Sequence, residues 1–384
     1  MLALFRNEKV RGVLYQLITI IGFVALIMYI AQNTAHNIES RGIKSGLDFL
    51  SSTAGFDITE TPIEFSPMST HWDVFKVGLA NTLIISFVGI ILTSILGLII
   101  DIMRLSSNWL ISRLAAGYIE LFRNLPILLQ ILFWYNIVLA ALPAAKNSLS
   151  LFDTVFLNKK GLFMPNPIFE DGAWLMGAAL VLALFIGWLV NRWSTKRHDE
   201  TGKEFPVMLT GLALVILLPL IAYFASGTPM HFDYPGASRF GFRGGKTFTP
   251  EFLALLFALT IYTATFIAEA IRSGIEAVAK GQKEAATSLG LTPSQSLKLV
   301  VLPQAVRISI PPIINQYLNL AKNSSLAAAV GYPELVTIFA GTSLNITGQA
   351  LEIIGITMLT YLLISLLVSA ILNWFNKKMK IKER

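Results

Sequence analysis

Two pairs of opposite charges lie at the ends of apolar stretches of this chain, Glu120 with Arg123 and Glu269 with Arg272. The residues of each pair are three apart, so on a helix they share a face and can form an ion pair. Ionisable side chains within a membrane are costly and mark either packing contacts or a transport path. We expect these four residues to lock helix packing near the membrane surface or, alternatively, to form part of a gate.

A polar stripe follows in a later apolar segment. Asn315, Asn319 and Lys322 fall on one helical face, and Gln316 lies beside them. Buried amides need hydrogen-bonding partners, because burying them without one costs several kcal/mol (roughly 2–7). The stripe therefore predicts either a substrate path or contact with a second membrane subunit, and both hypotheses stay open.

The sequence contains no catalytic motif that we recognise. Gly241 to Thr247 looks like a phosphate loop, but its first glycine is one residue too close to the Gly-Lys-Thr end. There is no cysteine and only four histidines, which makes a His/Cys metal site improbable. We expect no catalytic residue, no metal and no cofactor in this chain, so any ATP hydrolysis belongs to another subunit.

The composition indicates an all-α integral membrane protein. The chain has 384 residues, of which 54% are hydrophobic and 14% are charged, whereas soluble domains carry about 25% charged residues. Helices are the default for each span, because they satisfy their own backbone hydrogen bonds. The net charge of +7 indicates loops kept in the cytoplasm rather than affinity for nucleic acid.

Eight apolar runs approach the roughly 20 residues that a helical span needs. About two thirds of the 30 Lys and Arg residues fall on one side of this arrangement, which predicts that both termini are cytoplasmic. The predicted spans cover about 13–30, 77–100, 120–142, 173–190, 206–225, 251–275, 305–326 and 350–375.

The segment from Gln282 to Pro303 is unusually polar for this half of the chain and is rich in helix-ending signals. Gly281 and Gly290 can each end a helix, since glycine readily adopts the left-handed conformation that follows a last turn. Thr292 begins a second helix, with proline next and Gln295 completing a capping box. We expect two short helices at an angle that dock into another protein; an ordinary amphipathic loop is the alternative.

The spacing in this segment resembles the EAA loop of ABC importer permeases (EAA, three residues, G, nine residues, I-x-L-P), with Val300 where the family usually has isoleucine. In that family the loop is a cytoplasmic coupling helix that inserts into a groove on an ATPase subunit. The resemblance implies that Glu284 supplies the polar contact, Ala285 and Ala286 allow close approach, Gly290 makes the bend, and Pro303 closes the motif.

Three segments narrow the resemblance to polar amino-acid permeases of the histidine/glutamine type. They are 118–126, with Gln130 beyond it as a further candidate for the substrate path, 266–272, and 322–326. The N-terminal part and the long central insertion are similar to the larger permease subunit of general L-amino-acid transporters.

The resemblance implies a type I importer core with a coupling helix, which imports L-amino acids through the bacterial inner membrane. It also implies a second permease in a hetero-dimer, an ATPase dimer that binds ATP and Mg, and a periplasmic amino-acid-binding protein. An ion-gradient-driven transporter is the main alternative, and a membrane scaffold is another. The expected domains are 1–76, a permease domain 77–375 interrupted by an insertion at 143–248, and a basic tail 376–384.

Overall fold

The computed structural model describes residues 8–40, 42, 45–203, 205–238 and 241–379. The first seven residues of the predicted N-terminal segment and the last five of the basic tail lie outside these ranges. By internal contacts the chain divides into two compact units, 1–135 with 254–384, and 136–253.

Helices dominate the described residues. Seven are long and apolar enough to cross a membrane, and a bent pair brings the number to eight if it forms one span. The helices are α1 (Glu8–Ser40), α2 (His71–Arg104), α3 (Trp109–Asn124), α4 (Ile127–Phe133), α5 (Trp174–Thr201), α6 (Val207–Ala225), α7 (Pro250–Glu276), α8 (Lys280–Ser288), α9 (Pro293–Ser296), α10 (Leu302–Asn323), α11 (Leu344–Thr347) and α12 (Ala350–Met379).

The predicted third span, 120–142, is not one continuous helix, although the bent pair counts as a span if its two helices cross together. The bent pair consists of α3 and the helical stretch Ile127–Leu139, which begins with α4, and the two meet at an angle of 102°. Leu125 is extended (φ −89°, ψ 131°), because a residue that precedes proline is kept out of the helical region by the ring of Pro126. Glu120 and Arg123 therefore lie near the end of α3 rather than at the start of a span.

The centre of the first unit is α2, whose glycines allow neighbouring segments to come unusually close. A Cβ atom on Gly78 would lie 2.8 Å from Cα of Leu335, and one on Gly97 would lie 2.7 Å from Cγ2 of Ile267. Larger residues cannot occupy such positions without displacing a neighbour. The path of α2 therefore fixes both α7 and the segment that contains Leu335.

That segment, 331–347, is a buried element that the sequence indicated only as a short outer loop. Its helical part begins with a π-helical stretch, Val336–Ser343, and continues into α11. The Glu334 carboxylate accepts hydrogen bonds from the backbone N–H groups of Val336 (2.9 Å) and Thr337 (2.8 Å). It also accepts one from the Tyr361 hydroxyl of α12 (2.8 Å). These bonds tie the segment to the last span.

The second unit holds the α5–α6 hairpin and short antiparallel strands that the sequence did not predict. One sheet has the order β1-β2-β3-β8, and the pairs β4–β5 and β6–β7 form two smaller sheets. The strands are β1 (Leu149–Leu151), β2 (Val155–Asn158), β3 (Gly161–Met164), β4 (Asn166–Phe169), β5 (Met230–Asp233), β6 (Gly236–Ser238), β7 (Gly241–Arg243) and β8 (Lys246–Phe248).

The stretch that resembles a phosphate loop forms β7, a turn and β8. Gly244 (φ +75°) and Gly245 (φ +68°) make the turn in the left-handed region, where glycine avoids strain. The N–H of Gly245 donates to the Asp233 carboxylate at 2.8 Å. Its glycines therefore serve a turn, and a strand rather than a helix follows them directly, unlike in a phosphate loop.

The close approach at Gly78 predicts a stability difference between two glycine-to-alanine variants. Gly78→Ala overpacks the contact with Leu335 and is expected to cost about 1–3 kcal/mol, which lowers the melting temperature in detergent. Gly117→Ala on α3 is the matched control, since nothing lies within 4 Å of its added Cβ. Equal melting temperatures for the two variants would contradict this packing.

Candidate coupling knuckle and charge network

The two short helices expected near residue 290 are present, and we call α8, α9 and the residues between them the coupling knuckle. Gly290 has φ +78° and follows the last turn of α8. Its N–H donates to the carbonyl of Thr287 (2.9 Å), and the N–H of Leu291 donates to the carbonyl of Ala286 (3.1 Å). These two bonds are those of a Schellman motif, which confirms the predicted bend at Gly290.

The predicted capping box at the start of α9 is also present. The Thr292 hydroxyl accepts from the Gln295 N–H (3.3 Å), and the Gln295 side chain accepts from the Thr292 N–H (2.9 Å). After α9 a π-helical stretch, Leu297–Val301, leads into α10, which has Pro303 in its first turn. The start of α9 is thus fixed by local bonds, and its end continues directly into the π-helical stretch.

The predicted helix end at Gly281 is wrong. Gly281 lies in the first turn of α8, and its φ is not in the left-handed region. The chain turns earlier, where Ala279 is extended (ψ 136°) before α8 begins at Lys280. Glycine is tolerated in a first turn, so the residue type alone could not place the break.

The outer surface of the coupling knuckle combines charge and apolar area. Glu284 and Ala285 are exposed. Leu289 is exposed as well (81%), although nothing in the sequence marked it as a contact residue. Ala286 is buried in its own chain, so the expectation that it provides close approach to a partner is wrong. Its small size instead serves packing within the chain.

Buried contacts join the segments on either side of the coupling knuckle. Val278, Val301 and Ala305 form a small apolar core, and Ile275 at the end of α7 packs against it. Movement of the knuckle must therefore displace the end of α7 and the start of α10 together, because a close-packed apolar core joins them and transmits strain.

Of the two predicted ion pairs, one is formed. On α7 the Arg272 guanidinium pairs with Glu269, and its Nη1 also donates to Glu276 Oε1 at 2.6 Å. Among the described residues no salt bridge joins Glu120 to Arg123, so that pair is a wrong prediction. Arg123 instead places its guanidinium 5.5 Å from the ring centre of Phe266, a cation–π contact between α3 and α7.

The predicted substrate-path residues fall into two environments. Asn315, Asn319 and Lys322 are exposed on α10, and Gln316, partly buried, lies beside them. Gln130 is elsewhere: its Nε2 donates to the carbonyls of Phe122 (2.9 Å) and Leu125 (3.1 Å) at the α3–α4 bend. Its amide therefore replaces helical bonds that the bend removes.

The sequences of known proteins are similar to this one over nearly the whole chain. Residues 183–381 match the family described as the binding-protein-dependent transport system inner membrane component. The general L-amino acid transport system permease protein AapQ of Rhizobium johnstonii is 47% identical over 98% of this chain and 94% of that protein. This chain belongs to that family of inner membrane transport components.

Two further relatives agree with this membership. The putative amino-acid ABC transporter permease protein YhdX of Escherichia coli is 45% identical, over 99% of this chain and 97% of that protein. The glutamate/glutamine/aspartate/asparagine transport system permease protein BztB of Rhodobacter capsulatus is 38% identical, over 99% and 96%. The predicted multi-pass ABC importer permease is confirmed, and these matches give no support to an ion-gradient-driven transporter.

Two buried carboxylates of this transport component were missed as site residues. Asp101, in the last turn of α2, is only 2% exposed, and Glu334 is fully buried. An acidic residue at the end of an apolar span is a signal that the sequence does contain for Asp101. Glu334 gave no such signal, because only the fold buries the segment in which it lies.

The left-handed conformation at Gly290 predicts a defect in transport when a side chain is added there. Gly290→Val is expected to strain the bend by about 1–2 kcal/mol and to lower ATP-dependent uptake about 5- to 30-fold. Gly281→Val is the control, because Gly281 is helical and has nothing within 4 Å of an added Cβ. Unchanged uptake in Gly290→Val would count against the bend.

Proposed function

We propose that this chain is the larger permease subunit of an ATP-driven importer of L-amino acids. The observation that carries the proposal is the coupling knuckle, a rigid pair of helices that presents Glu284 and Leu289 to the outside. A single exposed leucine is common on protein surfaces, so the docking role rests on the position of the knuckle outside the apolar spans and on its EAA-like spacing. The printed names of AapQ and YhdX support amino acids as the substrate class.

The proposed partner at the coupling knuckle is an ATPase dimer that binds ATP and Mg, since this chain supplies no phosphate loop. Glu284 and Ala285 contact the ATPase, and Gly290 sets the angle at which α9 leaves. When the dimer closes, the buried core around Val301 carries the ends of α7 and α10 along. The result is a rigid-body switch between inward- and outward-facing states.

The polar stripe on α10 is proposed to face a second permease subunit and to border the substrate path. Its opposite side packs on α2, where Tyr317 and Ser94 share a hydrogen bond of 2.7 Å. Leaving Asn315, Asn319 and Lys322 against lipid would be unfavourable. A hetero-dimer interface would cover them, and the Lys322 ammonium could attract a substrate carboxylate there.

Both termini are proposed to be cytoplasmic. The end of α5 supports this orientation, since Arg192 and Arg197 lie over the rings of Trp188 and Trp193 at 4.8 and 5.1 Å, an aromatic and basic combination found at membrane surfaces. A periplasmic amino-acid-binding protein would then meet the opposite side, which includes the strands of the insertion 143–248. The permease domain is 77–375, interrupted by that insertion.

Orientation is tested with single cysteines at the two ends of α5, because the natural chain contains none. Asp171→Cys, just before α5, is expected to react with a membrane-impermeant maleimide in spheroplasts. Asp199→Cys, in the last turns of α5, is expected to react only after the membrane is permeabilised. Both positions are exposed, so the opposite labelling pattern would overturn the proposed topology.

The partner at the coupling knuckle is tested by co-purification in detergent. Glu284→Arg reverses the exposed charge and is expected to reduce the ATPase retained by the permease at least about fivefold, the loss for roughly 1 kcal/mol. Glu200→Arg is the control, an exposed glutamate at the end of α5. If wild type retains no ATPase, or if both variants retain it equally, the proposed coupling role is wrong.

A further inference from the structure

Helices α2 and α7 are held together along one continuous stripe. On α2 the stripe consists of Thr93, Gly97 and Asp101, each four residues after the last. The Thr93 hydroxyl donates to the carbonyl of Thr260 on α7 (3.2 Å), and a Cβ on Gly97 would meet Ile267. One turn further towards the coupling knuckle, the same face of α2 presents a carboxylate.

Asp101 is in an unfavourable position for a carboxylate. It is 2% exposed, and its Oδ1 has no hydrogen-bond partner among the described residues. Its neighbour Ile100 packs with Ala115 of α3 and Ala268 of α7 in an apolar cluster. Removing a charge from water without a compensating partner is costly, so the fold keeps Asp101 at the expense of stability.

The cation proposed to pair with Asp101 is Arg272 on α7. It lies one turn after Ala268, which packs in the same cluster as Ile100, the neighbour of Asp101. In this structure the guanidinium is held by Glu269 and Glu276. Arginine has five N–H donors on a long side chain, so a small change in the α2–α7 contact can bring the same group to a different acceptor. Arg104, the cation on the same turn of α2, instead donates to Ser112 of α3 at 3.1 Å.

We propose that Asp101 is a positioning residue that receives the Arg272 guanidinium in the alternate transport state. In the state described here Arg272 is bound within α7, and Oδ1 of Asp101 has no hydrogen-bond partner among the described residues. When the coupling knuckle moves the end of α7, Arg272 transfers from Glu269 to Asp101 and stabilises the other arrangement of α2 and α7. This inference rests on the proposed function, because it assigns the exchange to the ATP-driven switch.

The exchange predicts opposite effects for two isosteric substitutions. Asp101→Asn removes the acceptor of the alternate state, and Glu269→Gln weakens the acceptor of the present one. A ligand or a mutation shifts a two-state equilibrium only through its differential interaction with the two states. The two variants should therefore move the resting equilibrium in opposite directions, whereas general damage to packing would move both in the same direction.

The test uses the complete transporter in proteoliposomes, with ATP hydrolysis measured in the absence of substrate and ATP-dependent uptake measured in its presence. We expect Asp101→Asn and Glu269→Gln to change substrate-free hydrolysis in opposite directions, each about fivefold or more. Both should lower uptake while the ATPase stays bound. Asp199→Asn, an exposed aspartate on α5, is the control and should behave as wild type.

Arg272→Gln identifies the group that moves. Residues that share one interaction are non-additive, so in the Arg272→Gln background neither Asp101→Asn nor Glu269→Gln should have a further effect. If Asp101→Asn does not assemble, the Glu269→Gln shift and its loss in the Arg272→Gln background still decide the question. Shifts in the same direction, or full effects that persist without Arg272, overturn the exchange. Absence of ATP-dependent uptake in wild type would instead overturn the proposed function.

Discussion

The close contact of α2 with its neighbours is the constraint on which the rest of the first unit depends. Gly78 and Gly97 let the backbone of α2 approach the 331–347 segment and α7 more closely than a side chain would allow. Gly89 likewise accommodates Leu320 of α10, which would lie 3.2 Å from an added Cβ. Without a strong hydrophobic force between helices in lipid, such close packing is a main source of association.

Because of this close approach, polar side chains of α2 form hydrogen bonds with backbone groups that would find no partner in lipid. The Asn81 amide donates to the carbonyl of Pro333 (2.8 Å), and the Thr82 hydroxyl accepts from the Leu335 N–H (3.2 Å). These bonds satisfy backbone groups in a segment that lacks a regular helix start. One helix thereby organises the 331–347 segment at one end and, at the other, ends beside the cluster that Ile100 forms with Ala268 of α7.

What the sequence predicted well depends on neighbouring residues alone. The apolar runs predict the spans because apolar side chains are favourable in lipid whatever their tertiary contacts. The bend at Gly290 and the capping box at Thr292 each depend on only a few consecutive residues. The α3–α4 bend was missed, although Pro126 marks it, because the apolar run continues through it. Ala286 was misassigned because a motif gives residue types but not the direction in which a helix faces.

Features that arise from distant contacts could not be predicted in the same way. The 331–347 segment is buried by α2 and by Tyr361 of α12, and nothing local distinguishes it from a loop. The short strands of the insertion have three or four residues each, too few for a periodic pattern. Arg123 contacts the ring of Phe266 on α7 rather than the carboxylate of Glu120 on its own helix, and only the tertiary packing determines this.

Contact between the coupling knuckle and an ATPase subunit is tested most directly by cross-linking from single cysteines. The chain has no native cysteine, so a photoreactive thiol reagent at Leu289→Cys reports only that surface. We expect it to form an adduct with the ATPase subunit, and the same reagent at Asp171→Cys to form none. An ATPase that co-purifies but never cross-links at 289 would show that the knuckle is not the coupling contact.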